Sequence, residues 1–433
     1  MSGIVEERAT TARAAEQTLA LLAELFSDYG PRDFSVRLWD GSTWDPEPGQ
    51  EARFTLVIDT PTALRALLRH PDELALAEAY IYGDLDVEGD LGAVFKAADH
   101  LLVDKTWSTA ARLRAARHLL RLPRNGAQRA PRERARLSGR RSTRARDRQA
   151  TNFHYDKSNE FFALWLDKRM LYTTAYFASE ADTLDEAQEA KLDYICRKLR
   201  LRPGDRLLDI GCGWGALVVY AAERYGAEAV GITLSEEQAG LAREQIERAG
   251  LSDRGRVEIV DYRELEGGAV FDKIAAVGMF EHVPHAQLGE FFGTAWRLLR
   301  PRGVFLNHAI ARPLLQPPRR GRSFMGSYVY PDAELKAISV SLRAAEEAGF
   351  EVRDVESLRE HYPLTLREWL RRLEDNRDAV IRETDETSYR VFRLYLAGSI
   401  HGFSSGRLNV YQSLLAKPEN GVTGLPLGRD WYV

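Results

Sequence analysis

The residues best suited to chemistry begin at a glycine loop, Leu208-Asp-Ile-Gly-Cys-Gly-Trp-Gly215. Glycines at 211, 213 and 215 let a backbone approach a ligand closely and let the following helix pack tightly on a sheet. The spacing G-x-G-x-G lacks the third glycine position of the dinucleotide fingerprint. Asp209 stands just ahead of the loop, where a carboxylate can meet the cationic amino-acid end of a cofactor. Both features favour S-adenosylmethionine over a nicotinamide dinucleotide. Thr233-Leu234 closes the next apolar run without an acidic ribose ligand, and Gln238, one helical turn on, can hydrogen-bond the ribose instead. Asp261-Tyr262 offers a carboxylate for the adenine amino group and a ring for its face. Glu281 and His308 each follow a further apolar run, so both should reach the same end of a sheet.

The elements that must position these residues read as alternating strands and helices from about Thr151. The expected strands are Arg206–Ile210, Ala229–Thr233, Val257–Val260, Phe271–Val277 and Gly303–Asn307, with helices over 217–225 and 235–249. That alternation predicts an α/β fold with a doubly wound, Rossmann-like sheet and ligands beyond the carboxyl ends of the strands. Residues 1–120 predict a smaller α+β domain without a catalytic constellation. It opens with a helix through Ala14, Leu19, Leu22, Leu25 and Phe26. Two alternating stretches follow, Phe34–Trp39 and Ala52–Ile58, with an Asp40-Gly41 turn signal between them. Helical patterns then run from Pro61 to about Leu120.

Between the two domains, residues 121–150 read as a linker carrying eleven arginines against Glu133 and Asp147, and parts of Arg132–Arg148 suit a basic helix. That segment is about +9, which leaves about −13 for the rest of a chain whose net charge is −4. Such sorting suggests an anionic partner, a membrane surface or nucleic acid; the bland alternative is a solvated linker with none. The run lacks the interleaved aromatics that stack on bases, so no nucleic-acid partner is expected. No apolar run approaches the ~18 residues of a membrane span, and the N-terminus lacks the apolar block of a secretory signal. Cys196 and Cys212 make no disulfide framework, and no cluster has metal-ligand spacing. A cytoplasmic protein is expected.

Several motifs occur in a fixed order: His154-Tyr-Asp-Lys-Ser-Asn-Glu-Phe-Phe162, Met170-Leu-Tyr-Thr-Thr-Ala-Tyr-Phe177, the glycine loop with Trp214, Thr233-Leu-Ser-Glu-Glu-Gln238, Gly278-Met-Phe-Glu-His-Val283 and Arg393-Leu-Tyr-Leu-Ala-Gly-Ser399 with Phe403. Together, over about 151–415, they resemble the cyclopropane-fatty-acyl-phospholipid synthases and the mycolic acid cyclopropane synthases, class I S-adenosylmethionine-dependent methyltransferases. Ala77-Glu-Ala-Tyr-Ile-Tyr-Gly83 resembles part of the extra N-terminal domain of the phospholipid-acting members. The resemblance implies a catalytic domain over 151–433, with Tyr172 and Thr173 near the methionine part of the cofactor, the glycine loop beneath it, and Thr233, Leu234 and Gln238 around the ribose. It also implies a bicarbonate ion as base, held by Glu281, His308 and Tyr362. Two family positions that are usually cysteine are here Thr174 and Ser399, which puts the product type in doubt. Family members also suggest a homodimer.

The chemistry fits such residues. An isolated alkene is a poor nucleophile, and no side chain can activate it by deprotonation. The sulfonium must supply the driving force, with alkene and methyl held in line. The resulting carbocation would be stabilised by aromatic faces, for which Tyr172, Tyr176, Phe177, Phe280 and Tyr362 are candidates. Loss of a proton from the added methyl then closes a cyclopropane. To hold a bicarbonate, His308 would have to be protonated or the anion's proton shared with Glu281. The expected substrate is an unsaturated phospholipid, reached by peripheral contact of the arginine segment with an anionic membrane. Phe324–Tyr330 is a candidate for lining an acyl tunnel. The competing outcomes are a methylene- or methyl-branched fatty acyl product and, because some plant enzymes share much of the motif set, small-molecule N-methylation.

Overall fold

The structure is a computed structural model that describes residues 2–69, 72–101, 108–123, 134–141, 143–155, 157–316 and 323–432. The chain separates into two compact units. The first comprises Met1–Arg134, Gly321–Phe324 and Glu386–Gly398; the second holds Ala135–Arg320, Met325–Asp385 and Ser399–Val433. The division cuts the arginine-rich segment at Arg134 and draws a piece of the C-terminal region into the first unit.

In the first unit a helix, Ser2–Leu25, precedes a four-stranded sheet of β1 (Phe34–Leu38), β2 (Thr43–Trp44), β3 (Phe54–Ile58) and β4 (Leu85–Gly89) in the order β2-β1-β3-β4. The Asp40-Gly41 turn leads from β1 into the two-residue β2, while β3 lies parallel to β1. Strand β4 interrupts the stretch expected to be helical. Its alternation buries Leu85 and Val87 and turns Asp86 and Glu88 outward, a period of two that a five-residue run is too short to advertise. Phe34, Val36, Phe54 and Ile58 form the sheet's buried face, with Leu21, Leu22 and Leu25 of the helix also buried. Residues 386–398 belong here because Arg390 donates to the Tyr80 carbonyl and pairs with Asp86 at 2.9 Å, and Arg393 donates to the Tyr80 hydroxyl at 2.9 Å.

The second unit is built on a seven-stranded sheet: β5 (Arg206–Ile210), β6 (Glu228–Thr233), β7 (Gly255–Ile259), β8 (Phe271–Val277), β9 (Leu299–Ala311), β10 (Glu351–Ser357) and β11 (Asn409–Ala416). The order is β10-β11-β9-β8-β5-β6-β7. Strands β5 to β9 pair in parallel, whereas β11 runs antiparallel to both β9 and β10. Strand order reverses between β5 and β8, and at such a switch point the loops diverge and leave a crevice at the carboxyl ends. Leu208, Ile210, Val230, Ile232, Ile274 and Phe305 pack one face and Leu207, Ala229, Ala275 and Leu306 the other, so the central strands are buried on both sides.

Candidate active site

The cofactor loop is shaped by three glycines with different tasks. All three have positive φ, +79°, +54° and +82° at 211, 213 and 215, which L side chains rarely adopt. A β-carbon on Gly211 would lie 2.6 Å from the Met279 side chain, and one on Gly215 would lie 2.8 Å from Ala242 Cβ on the next helix. A β-carbon on Gly213 would meet nothing within 4 Å. Gly213 therefore faces open space, while Gly215 serves helix packing.

That open space belongs to a cavity at the switch point. Ten of the eleven residues expected around the cofactor line it: Tyr172, Thr173, Asp209, Gly211, Gly213, Thr233, Leu234, Gln238, Asp261 and Tyr262. Gly215 is the exception, for the reason just given. Thr233 donates to Gln238 Oε1 at 2.9 Å, which fixes the amide. Asp261 is held by Arg263, whose Nε and Nη2 lie 2.8 and 2.6 Å from its two oxygens. Burial works to raise the Asp261 pKa, but the hydrogen bonds and charge of Arg263 outweigh it and hold the carboxylate below its ordinary range. Arg263 also pairs with Asp147 at 2.9 Å.

The residues present suit a zwitterionic, adenine-bearing ligand. Asp209 is buried and leaves Oδ1 without a hydrogen-bond partner among the described residues, while Lys191, fully buried, lines the same cavity. Burial pushes Lys191 down and Asp209 up from their ordinary pKa values, each resisting the other's shift. Sequence reasoning missed Lys191, Asp147, Arg263 and His282, which also line the cavity. A signal for Lys191 existed: it falls on the apolar stripe Leu184, Ala187, Leu192, Ile195 of the helix Leu184–Lys198, where a lysine has no solvent to reach.

The second group of expected residues lies at the ends of β8 and β9. Val277 pairs with His308, and Gly278 N–H donates to the His308 carbonyl at 2.9 Å. Glu281 then folds back so that Oε1 accepts the Ile310 N–H at 2.6 Å, while Oε2 is buried without a hydrogen-bond partner among the described residues. Burial raises the Glu281 pKa against the opposing Ile310 hydrogen bond and the charge of Lys336. His308 Nδ1 lies 3.2 Å from Gln412 Nε2. Burial depresses His308 to about 3, with Lys191 and Lys198 adding repulsion. Of the two ways expected to hold a bicarbonate, a protonated His308 or a proton shared with Glu281, the burial of His308 disfavours the first: a positive ring there would be desolvated and repelled by Lys191 and Lys198.

Tyr362 packs at 4.3 Å on Phe403 and 6.2 Å from Trp369, which in turn lies 5.3 Å from Tyr172. These rings form an aromatic wall reaching the cofactor cavity. Tyr176 stacks instead on Tyr194 and His361, and Phe280 sits among Phe291 and Phe292 in the core. The Thr174 hydroxyl donates to the Ala175 carbonyl at 3.2 Å, and Ser399 is buried. Neither lines the cofactor cavity. In the arginine segment, Arg124, Arg129 and Arg132 lie outside the described residues. The expected basic helix forms only as Arg144–Tyr155, and several arginines are committed within their own unit: Arg134 to Glu78, Arg141 and Arg146 to Asp332, and Arg144 to Glu264.

A doubly wound sheet with its antiparallel β11, a glycine loop at the switch point and a cavity joining ionic groups to ribose- and adenine-compatible side chains define a class I S-adenosylmethionine-dependent methyltransferase. Residues 142–413 match the model of the mycolic acid cyclopropane synthetase family, and the chain belongs to that family. Residues 21–101 match a domain model of unknown function. A probable fatty acid methyltransferase of Pseudomonas putida is 38% identical over 91% of this chain and 95% of its own length. Another probable fatty acid methyltransferase, from Mycobacterium tuberculosis, is 35% identical over 96% of this chain and 98% of its own. Among solved structures, a mycolic acid cyclopropane synthase complexed with SAH (S-adenosylhomocysteine) and CTAB superposes with a TM-score of 0.59 at 34% identity, covering 62% of this chain and 97% of that one.

Proposed function

We propose that the protein transfers a one-carbon unit from S-adenosylmethionine to the cis double bond of an unsaturated phospholipid acyl chain, closing a cyclopropane ring. The observation that carries this reading is Glu281: a buried carboxyl with one oxygen on the Ile310 amide, two residues along β9 from His308, and the other without a hydrogen-bond partner among the described residues. The relatives aligned along nearly the whole chain are named fatty acid methyltransferases, which supports an acyl substrate.

The bound cofactor supplies an electrophilic methyl group. Gly213, Asp209 and Gln238 would hold it, and the wall of Tyr172, Trp369, Tyr362 and Phe403 would offer π surfaces to an apolar chain. Such faces stabilise a desolvated cation by about 2 kcal/mol or more each. Burial raises the Glu281 pKa and leaves Oε2 without a partner among the described residues, and a bicarbonate held by Glu281 and His308 would supply the base for the methyl proton. Positioning, not activation, is what the protein contributes.

Access to a bilayer falls to a surface. Arg136, Arg140 and Arg148 are exposed, and basic residues near an anionic surface are worth about 1 kcal/mol each. That suffices for transient docking from a chain whose described helices are not long and apolar enough to cross a membrane.

A second reading, a methylene- or methyl-branched product, is favoured by one contact. The Thr174 hydroxyl is spent on the Ala175 carbonyl, so it does not help to fix a base. A deuterated methyl donor with unsaturated phospholipid vesicles separates the outcomes. Upfield ring protons and two retained deuteriums support the cyclopropane; exocyclic methylene or three deuteriums replace it with the branched product. No incorporation into lipid overturns the acyl substrate.

A further inference from the structure

We propose that Lys336 is a positioning residue for Glu281, its ammonium gripping the chain on both sides of that residue and so holding the carboxyl on the Ile310 amide. The inference rests on the role given to Glu281 above and names the group that keeps it in place.

Glu281 sits on the short turn Phe280–His282, and the segment Glu334–Lys336 ties that turn to the end of β9. Glu334 N–H donates to the Glu281 carbonyl at 2.9 Å, and one oxygen of the Glu334 carboxylate accepts the His285 N–H at 2.8 Å. On the β9 side, the Lys336 carbonyl accepts the Arg312 N–H and the Leu335 carbonyl accepts Arg312 Nε, each at 3.1 Å. The Lys336 side chain then returns to the turn. Its Nζ donates to the Val283 carbonyl and, at 3.4 Å, to that of Phe280, the two residues that bracket Glu281 and His282. One segment thus holds both partners of the Glu281–Ile310 hydrogen bond, the turn that carries the carboxyl and the strand that carries the amide.

A lysine is a costly choice for that task. Lys336 is 4% exposed and lies 5.2 Å over the Phe280 ring, where an aliphatic side chain would fill the space without desolvating a charge. What the ammonium adds is several donors at one point, and two carbonyls take them. Its charge reaches Glu281 as well. Burial raises the Glu281 pKa, and the N–H groups of Ile310 and of Glu281 itself oppose that rise together with Lys336. No other titratable group nearby replaces this charge. Burial pushes Lys336 down to about 8 against the charges of Glu334 and Glu281, and it takes His282 to about 4 and His308 to about 3. Arg312 spends its guanidinium on the carbonyls of Leu335, Pro313 and Gln316.

The test is turnover of dioleoylphosphatidylglycerol vesicles with S-adenosylmethionine by the full chain, as wild type, Lys336→Met and Glu281→Gln. Lys336→Met should lower kcat by about tenfold or more, toward the about hundredfold that a misplaced group costs. The lipid KM and the S-adenosylhomocysteine affinity should stay within about threefold. The pH profile of kcat supplies a readout that lost packing would not move. In Lys336→Met, the ionisation that Glu281→Gln abolishes should shift to higher pH, because a positive charge no longer favours the carboxylate. Wild-type kcat with an unmoved profile overturns the proposal. A fall in kcat with the ionisation unmoved also overturns it and makes the lysine a packing residue. If Lys336→Met does not fold, Lys336→Gln, which keeps two donors but no charge, is read for the same shift. Full activity of Glu281→Gln removes the role of Glu281 itself, a result that does not depend on any lysine variant.

Discussion

The two halves of the candidate site, the cofactor cavity and the ends of β8 and β9, bury their ionisable groups in different company. Around the cofactor cavity, groups of both signs are buried together: Lys191 faces Asp209, and Arg263 bridges Asp261 and Asp147. At the ends of β8 and β9, Glu281 and His308 form no ion pair among the described residues, and burial drives both toward their neutral forms, Glu281 upward and His308 down to about 3. Burial pushes Lys191 and Asp209 the same way, each opposed by the charge of the other. Countercharges of both signs suit a zwitterionic ligand, whereas the proposed acyl substrate asks for π faces and uncharged donors.

The largest effect that can break this contrast comes from Glu281→Gln. Turnover should fall by about a hundredfold or more, the size of a lost general acid–base contribution, while S-adenosylhomocysteine affinity measured by calorimetry stays within a few-fold. Comparable losses in both would merge the two halves into one. Within the cofactor half, Gly215→Ala drives a β-carbon into Ala242 at a φ of +82°, and thermal melts should show roughly 1–3 kcal/mol of destabilisation. Gly213→Ala should instead act mainly on ligand affinity, since open space surrounds it.

The neutral imidazole also has a signature in stability. His308 titrates at about 6.5 when unfolded and about 3 when folded, so the unfolded chain binds the extra proton between those values. Its contribution is complete above pH 6.5 and is lost as pH falls through that window. His308→Gln should flatten the denaturation-derived stability profile there by about 1.4 kcal/mol per pH unit. An unchanged slope would mean that His308 titrates in the folded chain as it does in the unfolded one, and that burial does not hold it neutral. The smallest expected effect belongs to Asp147→Asn, which removes one partner of Arg263 while Asp261 keeps two hydrogen bonds. S-adenosylhomocysteine affinity should drop less than about tenfold, because a partly exposed pair is worth about 1 kcal/mol or less.

Much of the cofactor half was legible in the sequence. The β5 and β8 ranges coincide with the expected runs, and β6 begins one residue earlier. The loops after them carry their ligands within a few residues, so a local reading suffices. The reaction half was legible only as two residues after strands. That Glu281 would fold back onto the Ile310 amide, or that Gln412 would reach the His308 ring, depends on strand register. Strand β10 escaped notice because an edge strand with mostly half-exposed residues shows little apolar alternation. In the arginine run, composition counts charges, and folding pairs several of them with Asp332, Glu264 and Glu78 while Arg136, Arg140 and Arg148 stay exposed.

The sequence by itself determined the order of strands and helices, the glycine turn and the types of side chain set at each strand's end, since these follow from neighbours a few residues apart. Tertiary structure alone decided which charges are kept and which are extinguished. The pKa of a lysine or histidine is set by what excludes water from it, and Lys191 and His308 are dried by segments far away in the chain.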